Sequence, residues 1–188
     1  MKKMAELEAL EEEVRDLKGS PLYEHRKEHG YRPVFGEGDP DAQIMFVGEA
    51  PGREEAETGR PFVGRAGEVW DNVLATVGLD SEVDYITNVL KDRPPGNRDP
   101  RVAEIEAYAP FLHCQMTIIE PEVIATLGRF AMGFVLEAFG LRELGESIGV
   151  LHGEPLEAEA GYGWVTVVLL YHPAAGFEKK TEDFFAKL

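Results

Sequence analysis

The sequence predicts an α/β protein: a three-layer αβα sandwich around a central, mostly parallel sheet of about four strands. Short apolar runs alternate along the chain with longer stretches of helical periodicity, which is the pattern of repeated strand–helix units. The run Trp164–Tyr171 is almost continuously apolar, as is typical of a strand buried on both faces of a parallel sheet.

The chain begins with a helical pattern. Apolar residues recur at spacings of three and four within residues 1–18, which predicts an amphipathic helix with an acidic outer face. The Gly-Ser-Pro sequence at 19–21 ends this helix. We interpret residues 22–33 as an irregular segment, and we expect residues 1–33 to pack on the core of a single domain formed by residues 1–188.

The elements of the sheet follow in chain order. A short edge strand and a turn are predicted at Val34–Pro40, whereas Leu141–Gly163 is predicted to be irregular and a short amphipathic helix around Phe184 closes the chain. Trp70 is expected in the core. The remaining predictions are strand Gln43–Val47, helix Glu68–Val77, strand Val83–Val89, helix Arg101–Ile119, bent by Pro110 or beginning close to it, strand Val123–Gly128, helix Arg129–Phe139 and strand Trp164–Tyr171.

Composition limits the class of protein. The 188 residues, 44% of them hydrophobic, suit one soluble domain, and no apolar run is long enough to span a bilayer. The acidic N-terminus is unlike a signal peptide, so we expect a cytoplasmic protein. The single cysteine, Cys114, excludes an intrachain disulfide and an all-cysteine metal cluster. His25 and His29 could share a helical face as metal ligands, but no third ligand is in view and a solvated surface is the favoured interpretation.

Three predicted strands end in polar or aromatic residues. Glu49 and Phe62 lie in the glycine-rich stretch Gly48–Gly67 after the first central strand, Asn88 ends the second, and His172 follows the last. Because parallel strands place their carboxyl ends at one edge of the sheet, we expect these side chains to converge. A carboxylate, an aromatic ring, a carboxamide and an imidazole together suit a planar polar ligand.

The loops after these strands contain three sequence motifs. They are GEAPGREEAETGRPFVGRAG at Gly48–Gly67, TNVLKDRPPGNRDP at Thr87–Pro100 and YHPAA at Tyr171–Ala175. These motifs resemble those of family 4 uracil-DNA glycosylases. The similarity covers most of residues 34–175 and also includes FGEGDPDAQIMFVGEAPG and IEPEVIATLG. The resemblance implies an enzyme that hydrolyses the N-glycosidic bond of uracil in single- or double-stranded DNA and initiates base-excision repair.

The resemblance also implies roles for individual side chains. Phe62 would stack on a flipped-out uracil, Asn88 would read its N3 and O4 atoms, and Glu55 would exclude the methyl group of thymine. His172 would stabilise the negative charge on the departing base. Glu49 would position or activate the attacking water. We therefore expect Glu49 and His172 to be catalytic.

Members of this family usually carry a four-iron, four-sulfur cluster on four cysteines. The matching positions here hold no cysteine, and Cys114 alone cannot replace them. The cluster is therefore expected to be absent, with no other cofactor, and local packing and hydrogen bonds are expected to take its structural place. The four positions are Leu17, Ser20, Asp92 and Tyr108.

Net charge is the main objection to a DNA substrate. The formal charge of −16 disfavours generic binding of polyanions, which requires lysine and arginine. A local group of basic residues around the loops would answer this objection. Phe177, after the last motif, would be either an apolar wedge inserted into DNA or a core or surface residue. The predicted DNA contacts are Arg65, Lys91, Arg93, Arg98, Arg101 and Ala174.

Two other functions remain open from the sequence. One is a member of the same superfamily that binds DNA or a nucleobase with little or no catalysis. The other is an α/β protein that binds a nucleotide through the glycine-rich loop, although that loop lacks the phosphate-loop lysine and the dinucleotide glycine spacing. We expect a monomer, because the enzyme must approach DNA with an open face.

Overall fold

The computed structural model describes residues 1–77, 84–141 and 148–173. Its helices are α1 (Lys2–Arg15), α2 (Tyr23–His29), α3 (Arg53–Thr58), α4 (Arg65–Val77), α5 (Val102–Ile119), α6 (Arg129–Ala138) and α7 (Ile148–Leu151), with a 3-10 turn at Pro95–Asn97. Its strands are β1 (Glu37–Gly38), β2 (Ile44–Gly48), β3 (Tyr85–Asn88), β4 (Val123–Leu127), β5 (Pro155–Ala160) and β6 (Gly163–Leu170). None of the helices in these ranges combines the length and the apolar character that crossing a membrane requires.

The strands form one mixed sheet in the order β1-β3-β2-β4-β6-β5. The four central strands run parallel, and β1 and β5 pair antiparallel at the two edges. The predicted sheet of about four strands corresponds to this parallel centre, and the edge strand predicted within Val34–Pro40 is β1. Because β2 and β3 are neighbours, their carboxyl ends lie side by side at one edge of the sheet.

Both faces of the sheet are covered, which confirms the three-layer prediction. Alternate residues of the central strands, such as Met45 and Phe46, belong to different core clusters. On one face, α1, α5 and α6 pack against the strands; on the other, α4 does so through Trp70 and Leu74. Trp70 is 2% exposed, as its predicted place in the core requires.

The long helices agree with their predictions to within a few residues. α5 spans Val102–Ile119 with Pro110 inside it, and α6 ends one residue before the predicted Phe139. The predicted closing helix around Phe184 and the first residue of the second predicted strand, Val83, lie outside the described residues.

The structure corrects three short segments. Strand β5 and helix α7 lie within Leu141–Gly163, which was predicted to be irregular, and α2 lies within the segment 22–33. The six residues of β5, PLEAEA, are mostly alanine and glutamate, which have low strand propensity, so the pairing with β6 determines this strand. α2 and α7 are too short for a helical period to be visible in the sequence.

Candidate active site

The carboxyl ends of the central strands border a cavity of about 500 Å³. Glu49 follows β2, Asn88 is the last residue of β3, and His172 follows β6. These three side chains line the cavity together with Phe62 and Glu55 from the stretch between β2 and α4. The volume is within the usual range for small-ligand sites, and the sheet brings the five side chains to one place.

Gly48, the last residue of β2, lies where Asn88 and Phe62 approach each other. A Cβ atom at Gly48 would be 2.3 Å from Asn88 Oδ1 and 2.9 Å from Phe62 Cζ, and both distances are shorter than van der Waals contact. Any side chain at this position would therefore displace the amide or the ring. Asn88 is 2% exposed, so a ligand would meet an amide that is already shielded from water.

The ring of Phe62 is held by a constrained backbone. Phe62 has φ of 50°, in the left-handed region, where a residue other than glycine costs about 1–3 kcal/mol. Gly67 makes this conformation possible, because a Cβ atom there would be 1.7 Å from Phe62 O. The ring also lies 6.4 Å from the ring of Trp70, at an angle of 55°. The start of α4 thus fixes the orientation of Phe62.

Glu49 is half-buried in the cavity wall. The backbone N–H of Leu90 donates to Glu49 O at 3.1 Å, which ties the residue after β2 to the end of β3. Burial raises the pKa of the Glu49 carboxyl, and the negative charge of Asp99 raises it further, against a smaller opposing effect of Arg129. The carboxyl group therefore has a stronger affinity for a proton than an exposed glutamate.

Burial lowers the pKa of His172, whereas it raises that of Glu49. The imidazole is charged when protonated, and burial removes the hydration of this charged form. His172 is consequently neutral at neutral pH. A neutral imidazole donates one hydrogen bond and leaves no fixed positive charge in the cavity.

Glu55 forms a hydrogen bond with the backbone of the loop that carries Phe62. It is 8% exposed, and its Oε1 accepts a hydrogen bond of 2.9 Å from the backbone N–H of Gly64. This carboxylate lies on α3, a six-residue helix inside the stretch Gly48–Gly67, which the sequence predicts as a continuous loop. Glu55 therefore has one hydrogen bond within the protein while its side chain also borders the cavity.

The prediction that Lys91 contacts DNA is wrong. Lys91 is 0% exposed, so its ammonium group cannot contact a phosphate from this position. Its Nζ donates to Thr87 Oγ1 at 2.6 Å, to Gln115 Oε1 at 2.6 Å and to Asn88 O at 2.8 Å. Burial lowers the pKa of Lys91 well below its usual range, while three acceptors match its three N–H groups. Lys91 holds the end of β3, including Asn88, against α5.

Two of the predicted basic contacts border the cavity. Arg65, exposed at the first position of α4, and Arg98 both line the cavity. Arg98 donates to both carboxylate oxygens of Glu104, at 2.9 and 2.5 Å, so that much of its charge is neutralised. Ala174, and Phe177 beyond it, lie outside the described residues.

The other two predicted basic contacts, Arg93 and Arg101, are not among the residues that border the cavity. Arg93 donates to Asn97 Oδ1 at 2.6 Å and to the hydroxyl of Tyr31 at 2.8 Å, and Arg101 is exposed at the N-cap of α5. Asn97, which was not among the predicted site residues, borders the cavity with φ of 54°. The Pro-Pro-Gly-Asn sequence that ends at Asn97 is a turn signal that could have identified it.

Three of the four positions that resemble cluster positions form a buried hydrogen-bonded group. The hydroxyls of Ser20 and Tyr108 are 2.5 Å apart, and Tyr108 donates to Asp92 Oδ2 at 2.5 Å. Arg26 donates to Asp92 Oδ1 at 3.3 Å. Burial raises the pKa of Asp92, and the hydrogen bond from Tyr108 and the charge of Arg26 partly offset this rise. We call these four residues the Ser20–Tyr108 network.

This network does not fit an iron–sulfur cluster. Such a cluster is held by four thiolates, whereas three of the positions carry oxygen atoms already bonded to one another and Leu17 carries no ligand atom. Cys114 is exposed on α5. Within the ranges that the structure describes, no three His, Cys, Asp or Glu residues are grouped so as to hold a metal ion.

Comparison with known proteins adds independent findings. Residues 35–188 match the model of the family described as the uracil DNA glycosylase superfamily. The chain is similar to the type-4 uracil-DNA glycosylase of Archaeoglobus fulgidus, with 43% identity over 90% of this chain and 83% of that protein. Similarity to type-4 uracil-DNA glycosylases also extends to Sulfurisphaera tokodaii, with 40% identity over 98% of this chain and 84% of the relative, and to Thermotoga maritima, with 39% over 89% and 81%.

Proposed function

The chain belongs to the uracil DNA glycosylase superfamily, and we propose that it removes uracil from DNA as the first step of base-excision repair. It is a DNA glycosylase, a hydrolase of N-glycosidic bonds. The observation that carries the proposal is that Glu49, Phe62, Asn88 and His172 line the same cavity. A ring, a buried amide, a basic carboxylate and a neutral imidazole are the groups that uracil excision requires.

Recognition of the base depends on Phe62 and Asn88. The ring of Phe62 stacks on one face of uracil, and Asn88 Oδ1 accepts from uracil N3–H while its Nδ2 donates to O4. Cytosine presents an acceptor at N3 and a donor at C4, so it would leave a shielded amide unpaired. Glu55 lies in the same wall and crowds C5, where thymine carries its methyl group.

Cleavage transfers charge to the departing base. The oxygen of water bonds to C1′ as the bond from C1′ to N1 breaks, and the electron pair leaves with uracil. Glu49 accepts a proton from the attacking water, and its raised pKa suits this role. Neutral His172 donates a hydrogen bond to uracil O2 and stabilises the anion, which finally takes up a proton as free uracil.

The reaction requires the base to leave the helix. An enzyme cannot reach the glycosidic bond of a stacked base, so the target nucleotide is extruded into the cavity before cleavage. We propose that all of this proceeds without an iron–sulfur cluster, in a monomer. The hydrogen bonds of the Ser20–Tyr108 network support the proposal that the cluster is absent, because they occupy the side chains at three cluster positions.

The direct test is uracil release. The protein is incubated with oligonucleotides carrying one uracil, one cytosine or one thymine at the same position, as single strands and as duplexes. Abasic sites and free base are then measured. We expect release from the uracil substrates alone. Binding of the uracil strand without release would support a non-catalytic member of the superfamily and would overturn the proposal, as would release of all three bases at similar rates.

A further inference from the structure

A second cavity, of about 640 Å³, borders the end of α3, whereas the candidate active site borders its start. Residues of α1, of α2, of the segment Gly30–Pro33 and of the end of α3 line it. The mechanism described above makes no use of it. Its lining differs in charge from the rest of the molecule.

Four cations and one carboxylate border the second cavity, in a chain whose formal charge is −16. Two of the cations are engaged: Arg15 pairs with Glu11 at 3.2 Å, and Arg26 is buried against Asp92. Lys27 and Arg32 are exposed, and neither forms an ion pair with a carboxylate in the described part of the chain. Two available cations at one cavity favour an anionic ligand.

The same cavity has an aromatic wall made by Tyr23 and Tyr31. The ring of Tyr31 is stacked on His29, with centroids 5.4 Å apart and an angle of 18°, and its hydroxyl accepts from Arg93 at 2.8 Å. Arg26 lies 5.1 Å from the centre of the Tyr23 ring. These contacts hold the rings in place, and fixed aromatic rings bind bases at little cost in conformational entropy.

Helix α3 connects the two cavities. Arg53, Glu54 and Glu55 border the candidate active site, and Thr58 and Gly59 border the second cavity. Six helical residues span about 9 Å, which one strand of B-form DNA covers in two to three nucleotides. The backbone N–H of Arg32 also donates to Ala56 O at 2.7 Å, so the wall of the second cavity is tied to α3.

We infer that the second cavity binds a nucleotide, its base on the tyrosine rings and its phosphate at Lys27 and Arg32. We assign this nucleotide to the substrate strand, a few positions from the uracil. The inference rests on the proposed function for the identity of that strand. A free nucleotide has the same chemistry, and the experiment separates the two sources.

The test compares Lys27→Gln/Arg32→Gln with Lys2→Gln/Lys18→Gln, which removes the same charge from residues outside the cavity. Each is assayed with a long uracil strand and with a short one that has a single nucleotide on either side. For the long strand, we expect a KM severalfold higher in the first variant alone, with kcat unchanged. The slope of log Kd against log salt should fall in magnitude by about 0.7, the value for one phosphate contact on a single strand. The short strand should not distinguish the variants.

Thymidine 5′-monophosphate tests the chemistry of the site. We expect it to compete with the long strand, and deoxyribose 5-phosphate, which has no base, to compete more weakly. Equal KM values and equal salt slopes for the two double variants would overturn the assignment to the substrate strand. Binding of thymidine 5′-monophosphate with the same Kd in both double variants would overturn the nucleotide site itself. If no uracil is released, the proposed function fails, and the salt slopes measured by fluorescence anisotropy still test this cavity.

Discussion

At the scale of single residues, Glu49 couples stability to pH. Burial and Asp99 raise its pKa in the folded protein, so the folded state binds this proton more tightly than the unfolded chain. The stabilisation is therefore present at low pH and is lost as the pH rises through the folded-state pKa. At neutral pH the ionised carboxylate opposes folding.

Glu49→Gln is thus expected to raise the melting temperature at neutral pH. The difference from the original protein should become small near pH 3, about one unit below the ordinary pKa of glutamate, where the carboxyl is mostly protonated in both states. Thermal unfolding at the two pH values measures this, with the exposed Glu68→Gln as the control. A melting temperature of Glu49→Gln equal to or below that of the original protein at neutral pH would contradict this electrostatic account.

Gly48→Ala tests whether activity depends on the positions of Asn88 and Phe62 in the cavity. The added methyl group would stand 2.3 Å from Asn88 Oδ1, so the amide or the Phe62 ring must move. We expect kcat/KM for uracil release to fall more than about tenfold while the protein still folds, because misplacement of about 1 Å costs on the order of 100-fold. Gly161→Ala, where an added Cβ meets nothing within 4 Å, serves as the control. Unchanged kcat/KM would show that Asn88 and Phe62 do not bind the base.

The location of a side chain in the fold could be predicted from the sequence where its position in the chain determines that location. Asn88 and His172 could be placed because parallel strands end at one edge of the sheet. Lys91 could not, because three residues after Asn88 the chain turns inward and Thr87 and Gln115 accept its hydrogen bonds. A lysine in a polar, proline-rich stretch gives no sign of burial in the sequence.

At the scale of elements, the Ser20–Tyr108 network joins the turn after α1, helix α2, the loop after β3 and helix α5. Tyr108→Phe removes two hydrogen bonds and leaves Ser20 and Asp92 short of a partner in a buried site. We expect a loss of about 1–3 kcal/mol in the free energy of unfolding. Denaturant unfolding measures it, with Tyr23→Phe as a hydroxyl deletion outside the network. A loss no larger than in that control would show that the network does not stabilise the fold.

Elements with a strong period or an apolar run were predictable, and short ones were not. α4, α5 and α6 and the four parallel strands agree with the sequence pattern. α3 has good helix formers in REEAET, but six residues are too short to show a helical period in the sequence. β5 was missed for another reason, because its strand geometry comes from pairing with β6.

At the scale of the whole molecule, the fold should not depend on iron. The positions that resemble cluster ligands are occupied by a leucine and by oxygen-bearing side chains that bond to one another. We expect the purified, active protein to contain far less than stoichiometric iron and to lack the visible absorption of an iron–sulfur cluster. About four iron atoms per chain would overturn this expectation.

The charge of −16 restricts where DNA can approach. Composition alone predicted weak binding, but it could not show that Arg98 is neutralised by Glu104 or that Lys91 is buried. Nor could it reveal the second cavity, because Arg15, Lys27 and Arg32 come together only when α1 and α2 pack beside α3. The distribution of charge is a property of the folded chain.

The central claim is that Glu49 activates water in a cavity that holds uracil. Single-turnover release of uracil from a single-stranded oligonucleotide, with the enzyme in excess, tests it most directly. We predict that Glu49→Gln binds this strand as the original protein does and releases uracil about 10²–10⁴ times more slowly, while Glu68→Gln is unaffected. Release by Glu49→Gln at the rate of the original protein would contradict the account.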